Sequence, residues 1–306
     1  MTPISYVDDI SSNHLYIKRE DLIPFSFGGN KARKAILFFQ DIEKGGFDCV
    51  VTYGSGSSNH CRIVANECCR RGLSCFIISP EEASDSTFNS QMMDIFGAET
   101  TTVSVSEVHD TIERKIHELT RASRKPYFIP GGGHGNNGTE AYVQCYKEIQ
   151  KQENELGVFF DYIFFASGTG TTHAGLVCGQ LLASDDRKIV GISIARKNPR
   201  GRDIVLDSVR EYLGNRATEE QIQAATIFID DYTTGYGEND RRVQKTIIDT
   251  LKRYGIPLDA TYTGKAFAGM QQYIDKENIS GKNILFIHTG GTPLFFDTLK
   301  RMSEEI

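Results

Sequence analysis

An α/β fold of two open, twisted, mostly parallel sheets covered by helices is predicted by three features of the sequence. Apolar runs about five residues long alternate with amphipathic stretches about three times that length, the pattern of parallel strands joined by helices. Eight such runs are too many for one tidy sheet, which points to two α/β units. Several of the runs feed loops of glycine and hydroxyl residues that open helices, as at the crevice end of open α/β sheets.

The first helix is read in KARKAILFFQDIEKGG (31–46), which carries Ile36, Phe39 and Lys44 along its turns. It stops at Gly45-Gly46, as a helix ending in a positive-φ residue does. Strand candidates follow at CVVTY (49–53), CFIIS (75–79), TTVSVS (101–106) and YFIP (127–130). The glycine-rich IPGGGHGNNG (129–138) then reads as a crossing between the two units. Beyond it come YIFFAS (162–167), IVGISIA (189–195), TIFID (226–230) and NILFIHT (283–289). TEEQ (218–221) fits a capping box, with Thr218 facing Gln221.

Composition narrows the function. At 306 residues the chain is ample for a core without disulfide or metal staples. A net charge of −6 gives no basic footprint for nucleic acid, and pairs such as Arg70-Arg71 and Arg241-Arg242 read as solvated helix faces. Seven cysteines, an odd count without C-x-x-C, suggest reduced thiols in the cytoplasm. No apolar run approaches the roughly 18 residues of a spanning helix, so no membrane partner is expected. The histidines lack close ligand spacing, and no metal site is expected.

Four loops share one grammar: YGSGSSNHCR (53–62), SGTGTTHAG (167–175), TYTGKAFAG (261–269) and TGGTP (289–293). In the second, Gly168 and Gly170 let backbone N–H groups converge, Thr169, Thr171 and Thr172 add hydroxyls, and a helix begins with its positive end at the same place. A phosphate suits that cradle. It is neither a Walker loop nor a strict G-x-G-x-x-G turn, and a tight turn that binds nothing is the alternative. In SFGGNKARK (26–34) the glycines would let backbone pass close to a ligand, and Asn30 offers a donor and an acceptor. Lys31 read alone is a solvated first-turn residue; in a partly dry pocket its lowered pKa would let it form an imine with an aldehyde. An aldehyde that also bears a phosphate describes pyridoxal phosphate.

YIKRED (16–21), GGNKARK (28–34), SSNHCR (57–62), SGTGTTHAGL (167–176), YTGKAFAG (262–269) and FIHTGGTP (286–293) fall in the order of one family. The chain resembles the D-cysteine desulfhydrase and 1-aminocyclopropane-1-carboxylate (ACC) deaminase family of fold-type-II pyridoxal phosphate enzymes, over nearly its whole length. That resemblance implies a tryptophan synthase β-like fold with the active site between a small domain (34–142) and a large cofactor-binding domain (1–33 plus 143–306). It implies that Lys31 joins the cofactor and later moves protons, that Asn59 bonds the phenolic oxygen, and that Gly168 to Thr172 hold the phosphate. Thr263 would meet the pyridine nitrogen, and Thr289 would be a further cofactor contact. Asn30, Ser58, Asn59 and His60 would bind substrate, with Ser58, Tyr262 and Tyr236 at the reacting atoms, in a homodimer acting on a small amino acid. Outside that resemblance, Ser58 and Asn59 read as a helix cap, Asn30 as a turn former, His60 as a loop residue and Tyr236 as packing. Family members carry glutamine where Ser57 stands and differ over GGGHGNNG, changes that bear on the substrate.

The activity so implied is α,β-elimination on a D-cysteine-like amino acid to give a keto acid, ammonia and the leaving group. The deaminase branch carries a glutamate where this chain has Thr263, which favours a simple elimination over ring opening. A deaminase, racemase or β-replacement enzyme on the same fold, or a phosphate-ligand binding protein that is no enzyme, are the alternatives.

Overall fold

The computed structural model describes residues 1–232 and 240–304. The chain opens with β1 (Ile4–Ile10), β2 (Asn13–Arg19) and α1 (Asn30–Gly45), then β3 (Cys49–Tyr53), α2 (Asn59–Arg71) and β4 (Ser74–Pro80). Next come α3 (Phe88–Ile95), β5 (Glu99–Val103), α4 (Val108–Arg121), β6 (Pro126–Ile129) and the long α5 (Asn136–Leu156). It continues through β7 (Tyr162–Ser167), α6 (Thr171–Ala183), β8 (Lys188–Ser193), α7 (Arg200–Leu213), α8 (Glu219–Ala225) and β9 (Ile227–Ile229). The last elements are α9 (Arg241–Tyr254), α10 (Thr263–Lys276), β10 (Asn283–His288) and α11 (Thr292–Glu304).

The strands form two sheets, ordered β1-β2-β10-β7-β8-β9 and β5-β4-β3-β6. Every pairing is parallel except β1 with β2. Parallel strands covered on both faces read as continuous apolar runs, and β7 shows why. Ile163 and Phe165 pack into the core on one face, Phe164 and Ala166 into the core on the other. The four-stranded sheet likewise carries one core against α1 and α2 and another against α4.

The opening hairpin carries no strand pattern in the sequence. A bulge between Tyr6 and Asp8 breaks the alternation of β1, and β2 hides a fully buried Lys18 in its charged end. Lys18 donates to Glu148 at 2.7 Å, and Arg33 of α1 reaches Glu20 at 2.7 Å and Glu148 at 3.1 Å. These buried ion pairs tie β2 and α1 to α5, and so locate the helix that carries Lys31. The strand expected at 101–106 spans 99–103, beginning two residues earlier and ending three earlier, where Ser104 and Glu107 form a capping box that turns the chain out of the sheet.

α1 ends as expected, with Gly46 left-handed at φ 63°. Its buried stripe is Ala32, Ala35, Phe38, Phe39 and Ile42, while Ile36 is exposed. The glycine-rich segment carries the chain from β6 of the smaller sheet to α5, which packs on α6 of the larger one. Residues 136–142, grouped by sequence with the smaller unit, are the first turns of that helix. Among the described residues no helix is long and apolar enough to cross a membrane.

Candidate active site

The C-terminal ends of β3, β7, β8 and β10 and the first turns of α1, α2 and α6 surround a cavity of about 350 Å³, within the size range of small-ligand sites. It lies where residues from both sheets meet, as open α/β sheets place their crevices.

Paired glycines bring Lys31 there. Gly28 and Gly29 have φ of 61° and 96°, and a Cβ on Gly29 would sit 2.8 Å from the Thr289 carbonyl oxygen. Only glycine lets the start of α1 press against the turn after β10. Asn30 N–H donates to that same oxygen at 2.9 Å, and its side-chain amide donates to Thr172 Oγ1 at 3.0 Å. The next residue, Lys31, lines the cavity and donates from Nζ to Gly132 O at 2.8 Å. Burial, helped by the nearby Arg196 charge, lowers its pKa from 10.5 to about 8.

Gly168, Thr169, Gly170 and Thr172 line the same cavity as Lys31 and form the cradle, with Gly170 at φ 104° turning the chain into α6. The start of α6 lines the cavity, and the free backbone N–H groups of a helix start favour an anion. Thr171, grouped with them by sequence, points elsewhere. Its hydroxyl donates to Gly133 O at 3.2 Å and accepts from Lys34 Nζ at 2.7 Å. Lys34 went unrecognised in the sequence, although three residues after Lys31 it shares a helix face. It is buried, has no carboxylate in ion-pair distance among the described residues, and burial holds its pKa well below the ordinary lysine value. Arg196, also unforeseen, lines the cavity and donates to Gly168 O. No aspartate or glutamate lines the cavity among the described residues. A desolvated amine facing a helix-start cradle, two cations without carboxylates nearby and an acid-free lining fit an aldehyde that carries a phosphate.

Ser58, Asn59 and His60 all line the same cavity at the start of α2. Ser58 is both cap and lining residue, accepting from Cys61 N–H at 3.2 Å. Thr52 has one hydroxyl hydrogen and gives it to Ile129 O at 2.7 Å, so the 2.9 Å contact with His60 Nε2 requires that nitrogen to be the donor. Burial, with Lys31 and Lys34 close, holds the His60 pKa well below its usual value. His60 is therefore neutral with Nδ1 bare, and its ring offers no donor to a carboxylate. The N–H groups opening α2 and the Ser58 hydroxyl do.

Tyr262 and Thr289 line the cavity, but Thr263 does not. Thr263 donates from Oγ1 to Asp259 Oδ2 at 2.7 Å and is wholly buried, because Asp259 captures the hydroxyl while it caps the start of α10. The expected contact of this hydroxyl with a pyridine nitrogen is thus replaced by a structural bond. Tyr236 lies outside the described residues.

Comparison with known proteins agrees with this geometry. Residues 1–290 match the family described as pyridoxal-phosphate dependent enzyme. A Pyrococcus abyssi protein provisionally named 1-aminocyclopropane-1-carboxylate deaminase is 33% identical over 99% of this chain and 93% of its own. A D-cysteine desulfhydrase from Serratia proteamaculans is 31% identical over 96% of this chain and 91% of its own. The crystal structure of an ACC deaminase homologue superposes with a TM-score of 0.87 at 31% identity, covering 100% of this chain and 94% of that one. The chain belongs to the pyridoxal-phosphate dependent enzyme family, with pyridoxal phosphate as its cofactor.

Proposed function

We propose that the protein is a lyase that eliminates the β-substituent of a small amino acid, with D-cysteine as the leading substrate and water, keto acid, ammonia and sulfide completing the balance. The observation that carries this reading is the amine of Lys31, lowered to about 8, in a cavity lined by no aspartate or glutamate among the described residues. Pyridoxal phosphate, when bound, supplies an aldehyde for the substrate's amino group and a ring that accepts the electron pair left by the α-proton.

Lys31 would hold the aldehyde end of the cofactor, and its free amine is the group placed to take the substrate's α-proton at Nζ. Gly168 to Gly170 and the first turn of α6 hold the phosphate, with Lys34 and Arg196 adding positive charge nearby. The opening N–H groups of α2, with Ser58, orient the substrate carboxylate, and Tyr262 faces the reacting centre. Among the described residues the lining offers the ring nitrogen no anionic partner, which weakens the electron sink. Elimination of an already good leaving group needs less of that sink than ring opening does. The similarity to a D-cysteine desulfhydrase supports the choice of substrate. Seven free thiols support a reducing cytoplasm, and the family resemblance supports a homodimer, which sedimentation equilibrium tests.

A panel of β-substituted D- and L-amino acids tests the function. D-cysteine should release keto acid and sulfide in equal amounts, and Lys31→Ala should abolish both along with the borohydride-sensitive absorbance near about 410–430 nm. Inverted amino acid without keto acid would sink the lyase reading in favour of a racemase.

A further inference from the structure

Behind Asn59 lies a set of buried polar groups that the sequence did not single out. Asn89 of α3 is completely buried and donates from Nδ2 to two oxygens, the Ser57 carbonyl at 3.0 Å and Asn59 Oδ1 at 3.0 Å. A backbone carbonyl can only accept, so Ser57 dictates which end of the Asn89 amide is nitrogen. The second hydrogen on that nitrogen then requires an acceptor, which must be Asn59 Oδ1. Arg62, one turn along α2, gives an independent reading of the same atom. It is also completely buried, has donors and no acceptor, and directs Nη2 at Asn59 Oδ1 from 3.4 Å. Two donor-only neighbours on one atom leave the Asn59 amide a single orientation. Its Nδ2 group is turned away from both, and Asn59 lines the cavity.

Arg62 has a second attachment. It donates from Nη1 to the Ser26 carbonyl and to Ser26 Oγ at 2.8 Å. Ser26 and Phe27 stand at φ 46° and 58°, immediately before the paired glycines that lead to Lys31. Such conformations are costly for residues with side chains and persist where surrounding contacts over-determine them. Among the described residues no carboxylate lies within ion-pair distance of Arg62, so its positive charge is not cancelled locally. One guanidinium thus braces both the turn that delivers the lysine and the amide that faces the cavity.

We propose that Asn89 and Arg62 are positioning residues that lock the Asn59 side chain with its Nδ2 donor toward the cavity, where it meets the ionised phenolic oxygen of bound pyridoxal phosphate. The proposal rests on the cofactor reading given above. A carbonyl in that place would repel an anionic oxygen, and the Arg62 charge behind Oδ1 polarises the amide so that Nδ2–H is a stronger donor. Asn59 therefore acts in one sense only, and residues that never touch the cofactor set that sense.

The test uses Asn89→Asp, which keeps shape but replaces the donor facing Asn59 by an acceptor and so reverses the Asn59 amide. Asn59→Ala serves as the benchmark, and Arg62→Gln removes the second donor together with the charge and the bonds to Ser26. The wild-type holoprotein should show a borohydride-sensitive band near about 420 nm, which reports an ionised phenol. In Asn89→Asp that band should lose intensity to one near about 330 nm, and cofactor affinity should fall about 10- to 100-fold, as for loss of a hydrogen bond to a charged group. Arg62→Gln should give the same change in smaller degree. A band ratio and affinity unchanged in Asn89→Asp overturn the proposal while leaving the cofactor reading intact. A wild-type protein without the lysine-dependent band overturns both.

A second measurement needs no substitution in the lock. In wild-type protein labelled with 15N-asparagine, addition of pyridoxal phosphate should move the Asn59 side-chain N–H₂ signals, identified by their loss in Asn59→Ala. Signals that stay in place contradict the orientation proposed.

Discussion

The pH at which Lys31 captures pyridoxal phosphate follows from its surroundings. An ordinary lysine has a pKa of 10.5, and burial beside Arg196 brings Lys31 to about 8. At pH 7.5 the neutral, nucleophilic fraction rises from about 0.1% to about 24%, a gain of roughly 200-fold in reactive amine. The sign is that of a lowered base: protonated amine dominates below pH 8, and the neutral form saturates above it. Stopped-flow mixing of apoprotein with pyridoxal phosphate should therefore give a capture rate that climbs tenfold per pH unit at low pH and levels off through about pH 8. Arg196→Gln removes the nearby positive charge and should move the midpoint upward by roughly a unit or less, since burial remains as the larger cause. A rate that keeps climbing through pH 10 in the wild type would show that the amine is solvated and that the cavity does not tune it. An unmoved midpoint in Arg196→Gln would show that the guanidinium is screened from Nζ.

Two further substitutions probe how the site is built. Gly29→Ala places a Cβ 2.8 Å from Thr289 O at a φ of 96°; strain of about 1–3 kcal/mol plus displacement of the turn should lower the apoprotein melting temperature and weaken cofactor binding together. An unchanged melt would mean that the two backbones separate freely. Thr263→Glu is expected to destabilise and not to confer ring opening, because the new carboxylate enters a buried place beside Asp259. Burial already raises the Asp259 pKa, so its charged form is disfavoured in the fold, and the stability lost on adding a second acid should grow as pH rises from about 4 toward 7. Denaturant melts across that range check the trend, and ACC turnover by the variant would refute the placement of Thr263.

The local pattern of residues sufficed for much of the architecture. Runs such as CVVTY and YIFFAS are strands over the same residues that the pattern marks, because a strand buried on both faces must be apolar throughout. The stop of α1 at Gly46 and the capping box at Thr218 are equally local, each set by groups within a few residues. The same holds for Gly28 and Gly29 before Lys31 and for Gly170 in the cradle, whose positive φ angles are a property of glycine itself.

Tertiary packing decided which polar groups reach the cavity. Thr171 and Thr172 are neighbours, yet one hydroxyl serves Lys34 and the other meets Asn30, partners 137 and 142 residues away. Asp259 withdraws Thr263 from the site, Thr52 and Ile129 determine the protonated nitrogen of His60, and packing buries Lys34 beside the Thr171 hydroxyl. Periodicity and turn preference depend on bonds near in the chain and are written there. A hydrogen bond or a desolvated charge depends on whichever atom the fold brings within about 3 Å, and in this protein that atom comes from the other end of the molecule.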